Sequence, residues 1–275
     1  MGRVKLDPTP TIYDDYLKCY LKLECHNPSG SHKDRETIYI INMFGWRKRY
    51  IVASSGNAGI SLAYWMRDKA TVVVPKITPK EKIEVIRRLG ARVLIEGKYF
   101  YEAYMFCRKL AAEEELINIS PGILERWRGD VKIGYEIKNL NADYIFIPSA
   151  DLTLAYGIAY SFMEMKNKGI IDKTPLIVAC VLPNHPLLKI CRDNDISEKY
   201  RRAFNSIYTF GDEGENIERR FADISFTKLE TTMKLDAVLK LGEKYPKYDP
   251  AVLLAMYIST RYTGRKIVIV TGVKR

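Results

Sequence analysis

Hydrophobic and polar residues repeat with two alternating periods along this chain, and the alternation predicts strands followed by helices. Residues 19–25 repeat every second position, as a strand does, whereas residues 36–43 form an apolar helical run. Further short apolar runs predict strands, with helical runs between them. The strands are predicted at 50–53, 71–75, 91–95, 144–148, 176–181 and 266–270, and the helices at 60–65, 79–89, 101–115, 132–137, 154–166 and 251–261. This rhythm is typical of an α/β protein with parallel sheets covered by helices.

The turn between the first strand and the first helix carries candidate chemistry. It reads Asn27-Pro28-Ser29-Gly30-Ser31-His32-Lys33-Asp34-Arg35. Its Asn-Pro and Ser-Gly pairs favour a turn and Ser31 is a reasonable N-cap, so Lys33 is predicted in the first turn of a helix. The helix dipole disfavours a cation there and favours the neutral amine that a Schiff base requires. A solvated loop lysine is the alternative interpretation.

A second turn follows the strand at 50–53 and reads Ser54-Ser55-Gly56-Asn57-Ala58-Gly59. A strand, a loop of small residues and a helix N-terminus together form a nest of backbone N–H groups, which suits a carboxylate or a phosphate. A plain strand-to-helix turn, in which serine and asparagine cap the helix, is the alternative interpretation.

Taken together, the two turns resemble the pyridoxal-phosphate enzymes of fold type II, which share the tryptophan synthase β-subunit fold. The threonine synthase and cysteine synthase branches are the most similar. The family pattern is Asn-Pro-[Ser/Thr]-Gly-Ser-x-Lys-Asp-Arg and later Ser-Gly-Asn-x-[Gly/Ala], and this chain carries both in order. The resemblance implies two domains with open, mostly parallel sheets. The large cofactor-binding domain would comprise 1–46 plus 127–275, and the small domain 47–126.

The resemblance also implies pyridoxal 5'-phosphate as the cofactor and gives roles to several residues. Lys33 would form the Schiff base with the cofactor and later remove the α-proton of the substrate. Asn57 would bond the phenolic oxygen of the cofactor, and Thr271 would lie against its pyridine nitrogen. The substrate would be bound by Ser54, Ser55, Gly56, Asn57 and Ala58.

The predicted phosphate loop departs from the family pattern. Where the family has a glycine-rich loop, this chain has Ser149, Ala150, Asp151, Leu152 and Thr153, which are the residues predicted to bind the phosphate. Cβ atoms obstruct a close approach of backbone to phosphate, and a carboxylate repels the phosphate unless it points away. Asp151 could instead cap the following helix, and the hydroxyls of Ser149 and Thr153 could replace missing N–H contacts.

The predicted function is a pyridoxal-phosphate-dependent lyase or synthase that acts on a small-molecule amino-acid substrate. It would catalyse β- or γ-elimination or replacement, as threonine synthase and cysteine synthase do. A neutral hydroxyl at Thr271 favours these reactions over transamination, because it does not hold a proton on the pyridine nitrogen. The alternative is a non-catalytic relative that acts as a small-molecule-binding or regulatory subunit, and the altered phosphate loop motivates it.

Composition and charge bear on the remaining classes of function. The chain has 275 residues, of which 47% are hydrophobic, and no apolar run long enough to span a membrane. The five cysteines at 19, 25, 107, 180 and 191 form no C-x-x-C pair, which favours reduced thiols and no metal site. The net charge of +11 is spread along the chain beside acidic residues, which argues against a nucleic-acid interface.

We expect a cytoplasmic homodimer without a signal peptide and without a membrane or nucleic-acid partner. The chain contains no glutamine and is rich in lysine, arginine and glutamate, a composition that fits a thermophilic source.

Overall fold

The computed structural model describes residues 2–54, 56–121, 126–183 and 227–274. The chain forms two compact units. The first comprises Met1–Asp7 and His26–Gly129, and the second comprises Pro8–Cys25 and Asp130–Lys274. The resemblance implies domain boundaries near residues 46 and 127. These boundaries remain a prediction and are distinct from the bounds of the compact units.

Strands and helices alternate along the chain, as the hydrophobic periods predict. The strands are β1 (Thr11–Asp14), β2 (Cys19–Lys22), β3 (Tyr50–Ala53), β4 (Ala70–Val74), β5 (Arg92–Ile95), β6 (Ile117–Asn118), β7 (Tyr144–Pro148), β8 (Leu176–Cys180), β9 (Thr227–Glu230) and β10 (Lys266–Ile269). The α-helices are α1 (Lys33–Phe44), α2 (Asn57–Met66), α3 (Lys80–Arg88), α4 (Phe100–Glu113), α5 (Trp127–Ile137), α6 (Thr153–Asn167), α7 (Leu235–Lys244) and α8 (Pro250–Ser259).

The first unit contains a four-stranded sheet in the order β5-β4-β3-β6, and all of its pairings are parallel. Every residue of β3 and β4 is buried, as expected for a parallel sheet that is covered on both faces. Ile83 and Ile86 of α3 are three residues apart and both buried, so one face of this helix packs into the core.

The second unit contains a six-stranded sheet in the order β1-β2-β10-β7-β8-β9. Only β1 is antiparallel to its neighbour among these strands. The carboxyl ends of β7 and β10 therefore lie at the same edge of the sheet. Helix α8 is apolar around most of its circumference, and it is buried in the core of this unit.

The predicted elements agree with the structure to within a few residues at most ends, and the predicted strand 144–148 matches β7 in full. Strands β1, β6 and β9 and helix α7 are not among the predicted elements. The polar stretch 193–218, whose composition indicates loops with short helices, lies outside the described residues. None of the described helices combines the length and the apolar character that crossing a membrane requires.

The four described cysteines are free thiols. Burial raises the pKa of Cys19 and of Cys107 to about 12, and that of Cys25 to about 11. Burial also raises the pKa of the Cys180 thiol. These thiols are therefore protonated and weakly nucleophilic at neutral pH.

Candidate functional site

Lys33 is the first residue of α1, which confirms its predicted place in the first turn of a helix. A hydrogen bond of 2.7 Å from the Gly30 N–H to the Asn27 carbonyl closes the preceding turn. Gly30 has a φ of 85°, a conformation that glycine adopts without steric cost.

The prediction that Ser31 caps the helix is wrong. The N-cap is His32, whose backbone is helical (φ −56°, ψ −21°) rather than extended as in most N-caps, and no described side chain caps α1. The Ser31 hydroxyl is buried and finds no hydrogen-bond partner in the part of the chain that the structure describes.

Asp34 holds the lysine turn against α2 within the first unit. Its buried carboxylate accepts hydrogen bonds of 2.6 Å from the Ser29 N–H and 2.6 Å from the Ser61 hydroxyl. The Ser61 hydroxyl also lies 2.8 Å from Thr37 Oγ1. Because Ser61 belongs to α2 and Asp34 follows Lys33 directly, these bonds fix the start of α1 relative to the start of α2.

A buried carboxylate lies beside the lysine amine. Lys33 Nζ donates to Glu36 Oε1 at 2.5 Å, and Arg126 Nη2 donates to Glu36 Oε2. His32 Nε2 lies 3.7 Å from Glu36 Oε1. The Glu36 side chain is fully buried, whereas that of Lys33 is 17% exposed.

The electrostatics of this cluster depend on burial and on three neighbouring basic side chains. Burial alone would raise the pKa of Glu36, but the nearby Arg126, Lys33 and His32 lower it to about 2. Glu36 is therefore ionised at neutral pH. Arg126 Nη1 is buried and has no hydrogen-bond partner among the described residues, so within this part of the chain the guanidinium uses only some of its donors.

The sequence reasoning missed both Glu36 and Arg126. A glutamate three residues after a lysine on a helix is a local signal for an ion pair, so the role of Glu36 was open to prediction. Arg126 lies 90 residues from Glu36 in the sequence, and no local pattern indicates this contact.

The predicted substrate turn runs from the end of β3 into α2. Gly56 is the N-cap, and its N–H lies 3.2 Å from Ser54 Oγ, which accepts the bond. Asn57 begins the helix and is half-buried. A Cβ at Gly59 would lie 2.8 Å from Val72 Cγ1 and 3.1 Å from the Ser54 carbonyl oxygen, so glycine permits α2 to approach β4. Ser55 lies outside the described residues.

In the second unit, Thr271 and the loop 149–153 lie at the same edge of the sheet. Val268 of β10 is opposite Phe146 of β7. Thr271 lies three residues after Val268, and Ser149 lies three residues after Phe146. The two residues therefore leave the sheet at corresponding positions. Thr271 is buried.

The loop 149–153 uses several of its donors internally. The Ser149 N–H donates to the Cys180 carbonyl at 2.9 Å, and the Ser149 hydroxyl donates to the Ile147 carbonyl at 3.0 Å. Asp151 Oδ1 accepts a 3.1 Å hydrogen bond from the Thr153 N–H, the first N–H of α6. An anion bound at this helix N-terminus would compete for that donor.

Leu152 lies in the loop where the family pattern is glycine-rich, and it takes a left-handed backbone conformation, with a φ of 61°. This conformation favours glycine and costs other residues roughly 1–2 kcal/mol.

Similarity to known proteins identifies the family of this chain. The family described as pyridoxal-phosphate dependent enzyme matches residues 4–209. The L-serine dehydratase of Dictyostelium discoideum is 34% identical over 111 residues, which is 37% of this chain and 32% of that protein. The L-serine dehydratase/L-threonine deaminase of Bos taurus is 35% identical over 167 residues, 59% of this chain and 43% of that protein. The matches thus span about a third to two fifths of the length of these curated relatives.

Among solved structures, the processed form of threonine deaminase isoform 2 from Solanum lycopersicum has a TM-score of 0.75 and 19% sequence identity. The match covers 98% of this chain and 84% of that chain. This likeness confirms the predicted fold class. Because the family match extends over most of the sequence and includes both predicted turns, the chain belongs to the pyridoxal-phosphate-dependent enzyme family.

Proposed function

We propose that this chain is a pyridoxal-phosphate-dependent lyase that eliminates the β-substituent of a small hydroxy-amino acid. One observation carries the proposal: Lys33 begins α1 with its amine 2.5 Å from a buried, ionised carboxylate. Similarity to proteins named as serine and threonine dehydratases supports this substrate class. The same residues would also serve β- or γ-replacement, the reaction type of threonine synthase and cysteine synthase.

Lys33 and Asn57 fit the reactive end of the cofactor. The Lys33 amine would hold the cofactor covalently, and Asn57 would bond its phenolic oxygen. The turn from Ser54 to Ala58 leads into a helix N-terminus, which favours the substrate carboxylate. When bound, pyridoxal phosphate supplies an electron sink for the electron pair left at the substrate Cα.

Lys33 would move the α-proton of the substrate, and Glu36 would stabilise the positive charge that Lys33 then carries. After the amine of the substrate has displaced Lys33 from the cofactor, the free Lys33 Nζ would take the α-proton and become an ammonium, and the neighbouring carboxylate would stabilise that charge. Arg126 keeps Glu36 ionised over the whole neutral range. The same ammonium can then donate its proton to the departing hydroxyl, so that one group serves as base and acid in turn.

Thr271 would lie at the pyridine nitrogen of the cofactor, and loop 149–153 would bind its phosphate. The neutral Thr271 hydroxyl suits elimination, since it does not keep the ring nitrogen protonated. Asp151 fits less well, because its carboxylate occupies the first N–H of α6. This hydrogen bond favours a second candidate function, that of a non-catalytic relative which binds a small molecule.

Visible absorbance and ammonia release test the two candidates. With added pyridoxal phosphate, the wild-type protein should absorb in the visible range and release ammonia from L-serine or L-threonine. Lys33→Ala should lose both properties, whereas Lys109→Ala, which changes an exposed lysine, should keep them. A wild-type protein that stays colourless and releases no ammonia would exclude the lyase and support the non-catalytic relative.

A further inference from the structure

A pocket of about 530 Å³ lies in the first unit at the carboxyl end of α1. It combines four cationic side chains with two aromatic rings. These six residues are Arg3, Arg47, Lys48, Lys69, Phe44 and Trp46. No aspartate or glutamate is among the described residues that line it.

The positive charge of this pocket is not balanced by its surroundings. Within the described chain, none of its four cations forms an ion pair, whereas the adjacent Arg49 lies 3.6 Å from Glu114. Lys69 Nζ donates to the Trp46 carbonyl at 3.0 Å. The carboxyl end of α1 attracts cations, but a helix terminus carries only about half an elementary charge. The four cations therefore exceed what the helix end can offset.

The walls of the pocket are held in place by specific contacts. Trp46 packs edge to face against Trp65, with ring centroids 6.3 Å apart. Asn42 on α1 exchanges two hydrogen bonds with the Val4 backbone, at 3.1 and 2.8 Å, and these bonds hold the segment that carries Arg3. Phe44 is 37% exposed, so its ring is accessible.

The pocket is separate from the lysine site. Lys33 begins α1 and Phe44 ends it. An α-helix rises about 1.5 Å per residue, which places these two residues roughly 16 Å apart along the axis. A ligand in the pocket would therefore not be the cofactor that Lys33 holds.

We propose that this pocket binds a nucleoside polyphosphate, a ligand with several phosphate groups and one planar ring. Arginine and lysine are the side chains that bind phosphate oxygens, and four of them converge here. Phe44 and Trp46 offer faces on which a base can stack. The volume lies within the range of small-molecule sites, about 300–1,000 Å³.

Calorimetric titration of the full chain tests the assignment, with ATP, inorganic tripolyphosphate and adenosine as probes at low ionic strength. ATP should bind more tightly than tripolyphosphate, and adenosine should not bind measurably. Arg47→Glu combined with Lys48→Glu should weaken ATP binding by at least about tenfold, because two attractive charges become repulsive. Lys33→Ala should leave ATP binding unchanged.

The matched control is Lys80→Glu combined with Arg108→Glu, which makes the same change in net charge at exposed positions outside the pocket. An equal loss of ATP affinity in this control would overturn the proposal, since the overall charge of the chain would then explain binding. Phe44→Ala removes one of the two rings and should reduce the preference for ATP over tripolyphosphate without weakening tripolyphosphate binding. An undiminished preference, or adenosine binding as tight as that of ATP, would likewise overturn the assignment.

Discussion

Replacing Glu36 with glutamine tests whether this buried carboxylate balances the charges around Lys33. The variant side chain keeps its shape but loses its charge. The Lys33 ammonium and the Arg126 guanidinium, which both contact Glu36, would then face a neutral amide. Removing one partner of a buried ion pair typically costs about 3–5 kcal/mol.

The lowered pKa of Glu36 gives a second way to calculate how much stability this carboxylate contributes. A pKa lowered from 4.5 to about 2 corresponds to about 3 kcal/mol of stability at neutral pH. The pKa is lower in the folded than in the unfolded state, so this contribution is complete above pH 4.5 and is lost as the pH falls toward 2. The cost of removing one partner of a buried ion pair and the contribution calculated from the pKa agree. We therefore expect Glu36→Gln to lower the free energy of unfolding by about 3 kcal/mol.

Denaturant unfolding at pH 7, repeated at several values down to pH 2, measures both effects. Glu36→Gln should unfold at a lower denaturant concentration and lose less stability than wild type between pH 4.5 and 2. The control is Glu84→Gln, whose exposed pair with Arg87 at 2.9 Å should be worth at most about 1 kcal/mol. Equal stability of wild type and Glu36→Gln at pH 7 would refute the charge-balance argument.

Three further substitutions test the architecture around the site. Gly59→Ala should destabilise the chain by about 1–3 kcal/mol, measured by thermal unfolding, because the new Cβ would lie 2.8 Å from Val72 Cγ1. Asp34→Asn should cost about 2 kcal/mol in denaturant unfolding, since two charge-assisted hydrogen bonds weaken. Asp151→Gly frees the Thr153 N–H and should tighten pyridoxal-phosphate binding in a cofactor titration. Unchanged affinity would show that this carboxylate does not compete with the phosphate.

Local sequence signals were sufficient for most of the fold. The apolar run in β3 and the small-residue turn after it predict a buried strand that leads into a helix, and both are present. The start of α1 was misplaced by one residue, because a residue type that suits an N-cap does not ensure the capping hydrogen bond, and the Ser31 hydroxyl makes none to the described residues. Strand β9 was missed since it is a short, polar edge strand, and edge strands carry a weak hydrophobic pattern.

The chemistry of the candidate site was only partly accessible from the sequence. The position of Lys33 followed from its turn, but its partner Glu36 depends on which face of α1 is buried. The contact between Glu36 and Arg126 depends on tertiary structure alone. Similarly, the absence of glycine from the phosphate loop was visible, yet only the structure shows that Asp151 bonds Thr153.

The placement of the buried thiols gives the chain three internal reporters of local opening, one in the first unit and two in the second. Cys107 belongs to the first unit, whereas Cys19 and Cys180 belong to the second. A thiol-specific reagent modifies such cysteines only when the surrounding structure opens, so the labelling rate reports the free energy of that opening. With Cys191 replaced by serine, peptide-resolved mass spectrometry could follow the three sites in one sample. Each compact unit would then have its own measured stability, and a substitution in one unit could be checked for its effect on the other.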